Sequence, residues 1–244
     1  MIGRRYFFLF CLVLSAGVYG AGQEAFEQAN KAYQQGDFAA ARESYEHLTG
    51  AGIGGVTLCY NLGNAYYRLG KMGQARLWYE RALEASPRDE DARYNRDLVR
   101  ERVGETEGTN DGFKELSGAL WVAASVANLL FFVLLSLGLY RETEWVWWGR
   151  WFTGILFAIL LSAVIAAQRQ ASVRWGVITV ERAEARTGPS AQDQVGFVAP
   201  EGHRVVLLDN LNDWIQIGVP AKGLKGWVLS AEVEPVRRPL SSFH

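Results

Sequence analysis

The chain is poor in the groups that usually do chemistry. Among its 244 residues are two cysteines and three histidines. Cys11 lies in an apolar N-terminal run, which leaves Cys59 alone in the rest of the chain, so no internal disulfide can form there. A lone Cys59 reads as a small buried hydrophobe rather than a nucleophile. His47, His203 and His244 are scattered, without metal-ligand spacing. The patterns H-E-x-x-H, G-x-S-x-G and G-x-x-x-x-G-K-[ST] are all absent. No catalytic residue is assigned; no enzyme activity, cofactor or metal is expected. The formal charge of −1 lacks the basic excess that phosphate backbones demand, so nucleic acid is not an expected partner. The one acidic run, Asp89–Glu90–Asp91, reads as the first turn of a helix, where it favours the dipole.

What the chain does have is apolar sequence, 49 % of it, unevenly placed. Residues 1–20 carry Arg4 and Arg5, then an apolar stretch from Tyr6 to Val18, then small residues near Gly20: the parts of a secretory signal, either cleaved or kept as an anchor. Residues 116–140 hold no charge and include SVANLLFFVLLSLGL; Trp151 to Gln168, WFTGILFAILLSAVIAAQ, is a second uncharged run. A membrane helix needs about 20 apolar residues. Both runs are therefore expected to span, as transmembrane helices over 116–140 and 151–171. Trp121, Trp145, Trp147, Trp148, Trp151 and Trp175 cluster near their ends, as amphipathic rings do at interfaces. The short connection over 141–150, RETEWVWWGR, makes the pair a hairpin with a cytoplasmic loop. Both flanking segments then lie on one side, outside the cytoplasm if the signal exports them. The expected location is a bacterial inner membrane.

One short stretch invites a different reading. GAGIGG, Gly50 to Gly55, fits G-x-G-x-x-G, the turn that cradles a dinucleotide when a strand precedes it and a helix comes after. The surrounding sequence argues otherwise. ANKAYQQGDFAAARESYEHL from Ala29 and GNAYYRLGKMGQARLWYERA from Gly63 are 34 residues apart and align Tyr33 with Tyr67, Gly36 with Gly70, Ala41 with Ala75 and Tyr45 with Tyr79. Each copy is helix, glycine turn, helix, and that period is the tetratricopeptide period. Leu62, Gly63, Tyr66, Gly70, Ala75, Tyr79, Ala82 and Pro87 resemble the family's pattern in one unbroken stretch. The glycines therefore come after a helix and form the joint between repeats. DEDARYNRDLVRERV after Pro87 is the expected polar cap helix, closing a repeat region over 22–103, and 104–115 reads as a linker. Two repeats and a cap fall short of the usual three units, so the region is expected to be marginal or to lean on the membrane or a partner.

From Gly176 the texture changes to VITV, RVVLL, DWIQIGV and KGWVL, separated by GPS, PEG, DN and PAKG. Frequent turns and alternating side chains predict a small all-β barrel over 176–237. ARTGPS, EGHRVVLL, Asp213–Trp214 and Gly226–Trp227–Val228 resemble a bacterial SH3-like domain. Trp214 and Trp227 are its candidate ligand face, with core filling as the alternative.

The expected fold class is thus multidomain: all-α repeat hairpins, a two-helix transmembrane hairpin and an all-β SH3-like barrel. This order, with NLGNAYYRLG and YERALEASPRDEDARYN, resembles the BatE family of Bat (aerotolerance-operon) proteins. The resemblance implies an inner-membrane adaptor beside von Willebrand-type Bat partners and a MoxR-type ATPase. Peptidoglycan or peptide binding through the SH3-like domain is the alternative function. In the repeat family the first helix of each repeat lines a concave groove; by register those positions are Phe26, Asn30, Tyr33, Tyr60, Asn64, Tyr67 and Tyr94. Aromatics beside asparagines suit an extended peptide, although tyrosines that only pack between helices would look the same. The family's carboxylate clamp needs lysines where Phe26 and Asp91 stand, so capture of a free C-terminus is not expected.

Overall fold

The computed structural model of the chain describes residues 22–105, 112–140, 144–171 and 173–237. The signal over 1–20, residues 106–111 of the linker and 141–143 of the loop lie outside them. The chain forms two compact units, residues 1–107 with 174–244, and residues 108–173.

The first unit begins with five helices: α1 (residues 22–34), α2 (Phe38–Gly50), α3 (Val56–Arg68), α4 (Met72–Ala85) and α5 (Glu90–Arg102). Side-chain caps start two of them. Asp37 accepts from the Ala40 N–H at 3.0 Å and Asp89 from the Ala92 N–H at 2.9 Å, each satisfying a donor that the first helical turn leaves open. Glu90 and Asp91 sit in the first turn of α5, where the dipole favours them. The joint between repeats runs from the end of α2 into α3, with a helix on either side of its glycines; Gly55, at φ 148°, takes a backbone conformation that side chains oppose. Ala41, Tyr45, Leu62, Ala65, Ala75 and Tyr79 fill the core between helices. Gly63 is there because α3 meets α4 at that point: a Cβ would lie 2.7 Å from a ring carbon of Tyr79. Cys59 is half-buried and packs against this core.

Seven strands complete this unit: β1 (Trp175–Ile178), β2 (Arg182–Arg186), β3 (Val195–Pro200), β4 (Arg204–Leu211), β5 (Trp214–Val219), β6 (Leu224–Leu229) and β7 (Val233–Pro235). They form one antiparallel sheet in the order β3-β2-β6-β5-β4-β1-β7 around a core that includes Ile178, Ala185, Val205, Ile217 and Val228. Alternation along each strand puts these residues on one face.

The repeats and the sheet pack together through α4. Ten of its fourteen residues are buried, far more than the single stripe of a surface helix. One side meets α3. The other meets the β-domain, where Leu77 packs with Val177, Val236 and Trp175. Lys71, at the start of α4, provides no side-chain cap. The β-domain supplies one instead: the Gly73 N–H donates to Glu201 Oε1 at 2.8 Å. The chain's own C-terminal domain thus gives the short repeat stack support that the sequence did not suggest.

The second unit contains α6 (Gly112–Tyr140) and α7 (Glu144–Ala171), which pack on each other. Ala124, Ala127, Thr153 and Val164 are buried, while Trp121, Leu129, Phe152 and Ile159 are exposed. Among the described residues no helix is long and apolar enough to cross a membrane. That corrects the expected transmembrane hairpin over 116–140 and 151–171, and with it the two-span inner-membrane location. A span needs about 20 consecutive apolar residues, whereas Ser125, Asn128, Ser136, Thr153 and Ser162 interrupt these runs, four of them turning their hydroxyls back onto main-chain carbonyls of their own helix. The absence of charge is too permissive a criterion.

Candidate functional site

The repeat unit carries one polar arrangement twice. In the first copy Asn30 Oδ1 accepts from the Tyr45 hydroxyl at 2.6 Å and from Asn61 Nδ2 at 3.0 Å. In the second, Asn64 Oδ1 accepts from the Tyr79 hydroxyl at 2.7 Å and from Asn95 Nδ2 at 3.0 Å. Each residue of one set stands 34 positions from its counterpart. The aromatic neighbours repeat as well. Phe26 and Tyr45 have ring centroids 5.9 Å apart at 52°, and Tyr60 and Tyr79 are 6.1 Å apart at 49°. Each asparagine thus stands between two first helices and the second-helix tyrosine behind them, a rung tying three helices together.

Two adjoining cavities lie over these rungs. One, of about 360 Å³, is lined by Asn30, Tyr33, Tyr45, Asn61 and Asn64. The next, of about 290 Å³, is lined by Tyr33, Tyr60, Asn64, Tyr67, Arg68 and Asn95 among others. Tyr33 and Asn64 belong to both, so the two make a continuous groove. Because the Oδ1 of Asn30 and of Asn64 is occupied by two donors, their Nδ2 groups remain to donate elsewhere. Asn61 and Asn95 spend Nδ2 on the rung, which leaves Oδ1 to accept. Each rung therefore offers one amide donor and one amide acceptor. Two cation–π contacts brace the rim: the guanidinium of Arg68 lies 4.2 Å from the Phe38 ring centre, and that of Arg102 lies 5.1 Å from that of Tyr67. Burial pushes the Tyr45 phenol up to about 12 and raises Tyr79 further, so both remain hydroxyl donors.

Of the seven residues expected in the groove, Asn30, Tyr33, Tyr60, Asn64 and Tyr67 line these two cavities. Phe26 borders a third, of about 470 Å³, against the glycine joint. Tyr94 is 70 % exposed and lines neither groove cavity. Tyr45, Asn61, Tyr79 and Asn95 join the groove without being among the residues expected there. The register could have found Asn61 and Asn95, which stand 34 apart one residue after Tyr60 and Tyr94.

On the β-domain, Gln216 pairs with Trp227 and Trp214 with Leu229. Residues two apart on a strand share a face with their cross-strand partners, so Trp214 and Trp227 are diagonal neighbours on one face. That face is opposite Ile215, Ile217 and Val228, which pack into the core. Both tryptophans are half-buried.

Repeated helical hairpins with a shared groove, joined to a small antiparallel β-domain, define a class of binding protein. Residues 26–90 match the tetratricopeptide repeat family and residues 182–234 the bacterial SH3 domain family. The first points to protein–protein interaction, the second to cell-wall or peptide binding. No curated protein matches the chain.

Proposed function

We propose that the protein is a non-enzymatic scaffold whose repeat groove holds an extended segment of a protein partner. The paired rungs are the observation that carries this. A peptide backbone presents one N–H and one C=O per residue, and each rung offers one acceptor and one donor, fixed by buried tyrosines. The flanking rings of Tyr33, Tyr60 and Tyr67 cover apolar side chains of the bound segment. The resemblance to Bat proteins makes von Willebrand-type Bat partners the first to test.

The experiment is affinity capture with the full chain as bait, comparing it with Tyr33→Ala combined with Tyr67→Ala. These two rings line the groove without belonging to the buried rungs. Recovery of the partner should fall at least tenfold, about 1.4 kcal/mol or more, while the circular dichroism of the variant stays unchanged. Equal recovery from a folded variant refutes the groove.

A second reading rests on the shared face of Trp214 and Trp227, a half-buried aromatic pair suited to cell-wall peptide. If it holds, Trp214→Ala with Trp227→Ala abolishes peptidoglycan pull-down and leaves partner capture through the repeats intact.

A further inference from the structure

The groove carries charge of one sign. Among the described residues no carboxylate lines either of its two cavities, and their one charged residue is Arg68. Arg102 stands over Tyr67, itself a lining residue. The two arginines lie 34 positions apart, in the last turns of α3 and α5, so the repeat register sets them in one column. Arg42, Arg76, Arg81, Arg96 and Arg100 of α2, α4 and α5 each hold a carboxylate. The side chains of Arg68 and Arg102 have no hydrogen bond or ion pair among the described residues. Each lays its guanidinium on a ring instead, 4.2 Å from the centre of Phe38 and 5.1 Å from that of Tyr67. A guanidinium points its N–H donors outward in its own plane, so stacking steadies it and leaves the donor fork open.

We propose that the segment held in the groove is acidic, with two side-chain carboxylates two positions apart that engage Arg68 and Arg102. This rests on the reading of the groove as a peptide site. The spacing comes from the rungs. The Asn61–Asn30 and Asn95–Asn64 hydrogen bonds hold α1, α3 and α5 side by side, and packed helices lie about 8–10 Å apart. A segment crossing them in extended form turns every second side chain the same way, about 7 Å apart. Two long arginine side chains can match that separation. Each carboxylate meets the fork of one guanidinium, a charged and paired contact that an uncharged side chain cannot make. The lysine positions of the family's carboxylate clamp, where Phe26 and Asp91 stand, lie toward the opposite ends of the first helices. The arginines therefore read side chains within a segment rather than a free C-terminus.

The test is selection from a displayed library of random peptides on the immobilised full chain, with the recovered peptides sequenced. Pairs of acidic residues two positions apart should be enriched about fivefold or more over the starting library. On Arg68→Gln with Arg102→Gln that enrichment should vanish while peptides rich in apolar residues are still recovered. Arg68→Lys with Arg102→Lys keeps the charge and loses the fork, so the enrichment should persist at a reduced level. Tyr33→Ala with Tyr67→Ala should recover no specific sequence. Circular dichroism checks that each variant is folded. Peptides that show no acidic enrichment, yet are lost on the tyrosine variant, overturn the acidic segment and leave the groove standing. Acidic enrichment that survives Arg68→Gln with Arg102→Gln also overturns it, because the charge is then read elsewhere. No recovery on the parent protein, or equal recovery on the tyrosine variant, overturns both.

Discussion

The two repeats are built alike and buried differently. Ala41 and Ala75 are both fully buried where their helices touch, and Tyr45 and Tyr79 are both 1 % exposed under their asparagines. On the outer faces the equivalence ends. Arg42 and Glu46 of α2 pair four residues apart with 30 % and 35 % of their side-chain surface exposed, whereas the corresponding Arg76 and Glu80 of α4 have 0 % and 5 %. Ala39, Glu43 and Ser44 are replaced one for one by Gly73, Leu77 and Trp78. Two of these changes suit α4 to a second neighbour: Gly73 lets backbone approach and Leu77 supplies apolar surface, while Trp78 packs into the repeat core. The groove faces remain matched because the rungs need them matched. A repeat's inner face thus answers to its ligand and its neighbours, while its outer face answers to whatever the chain packs there.

The largest difference should come from the arginines. Arg76→Ala leaves buried carboxylates uncompensated and should cost about 3–5 kcal/mol, against under about 1 kcal/mol for Arg42→Ala at an exposed pair. Urea unfolding of both variants measures this, and equal losses would break the comparison.

Gly73→Ala comes next, and its sign is informative. Helix propensity alone favours alanine by about 1 kcal/mol. The new methyl, however, would lie 2.5 Å from the Ile178 carbonyl oxygen, so the variant should lose about 1–3 kcal/mol instead. Ala39→Gly, at the equivalent exposed site, should lose only about 1 kcal/mol, the propensity term. A stabilised Gly73→Ala would mean that α4 does not press on the β-domain.

Ala75→Leu and Ala41→Leu sharpen the comparison from the inner side. Both sites are sealed between helices, so each should cost a similar amount, about 1–3 kcal/mol, in thermal melts. Gln74→Leu should cost less; it gives up one hydrogen bond, from Gln74 Nε2 to Glu234 at 3.2 Å.

A further effect is alkaline. Tyr45, raised to about 12, and Tyr66 and Tyr79, raised further, keep their protons in the folded state after the unfolded chain has lost them. Stability should therefore be full below about pH 10 and fall as pH rises toward 12. Arg76, lowered by burial to about 10, acts in the opposite sense over that window, but it is one group against three. A melting temperature that holds steady above pH 10 would contradict the buried rungs.

Periodicity carries much of this architecture. The 34-residue spacing places the helices, the glycine joint and five of the groove residues, because repeat packing forces the same side chains into the same places. Turn residues and alternation place the β-domain. The rung partners Asn61 and Asn95 stand in the same register yet give no local signal, since asparagine on a helix more often marks a solvated position than a tie. Docking is hidden for another reason. Leu77 looks like an ordinary helix-packing residue until it is set against Glu43, and no local pattern says what distant part of the chain will cover it. The apolar runs of α6 and α7 mislead because length without charge resembles a span, while small and polar residues sit among the large ones.

Hydrogen exchange in the full chain tests most directly whether the β-domain completes the repeat stack. The variant is Val228→Ala, which lies in the β-domain core and is fully buried there. Removing those methyls should cost about 1–3 kcal/mol in the β-domain. If α4 depends on that domain, its amides from Ala75 to Leu83 should lose roughly tenfold or more in protection, while those of α2 change little. Unaltered protection in α4, with exchange in the β-domain accelerated, would show that the repeats stand alone.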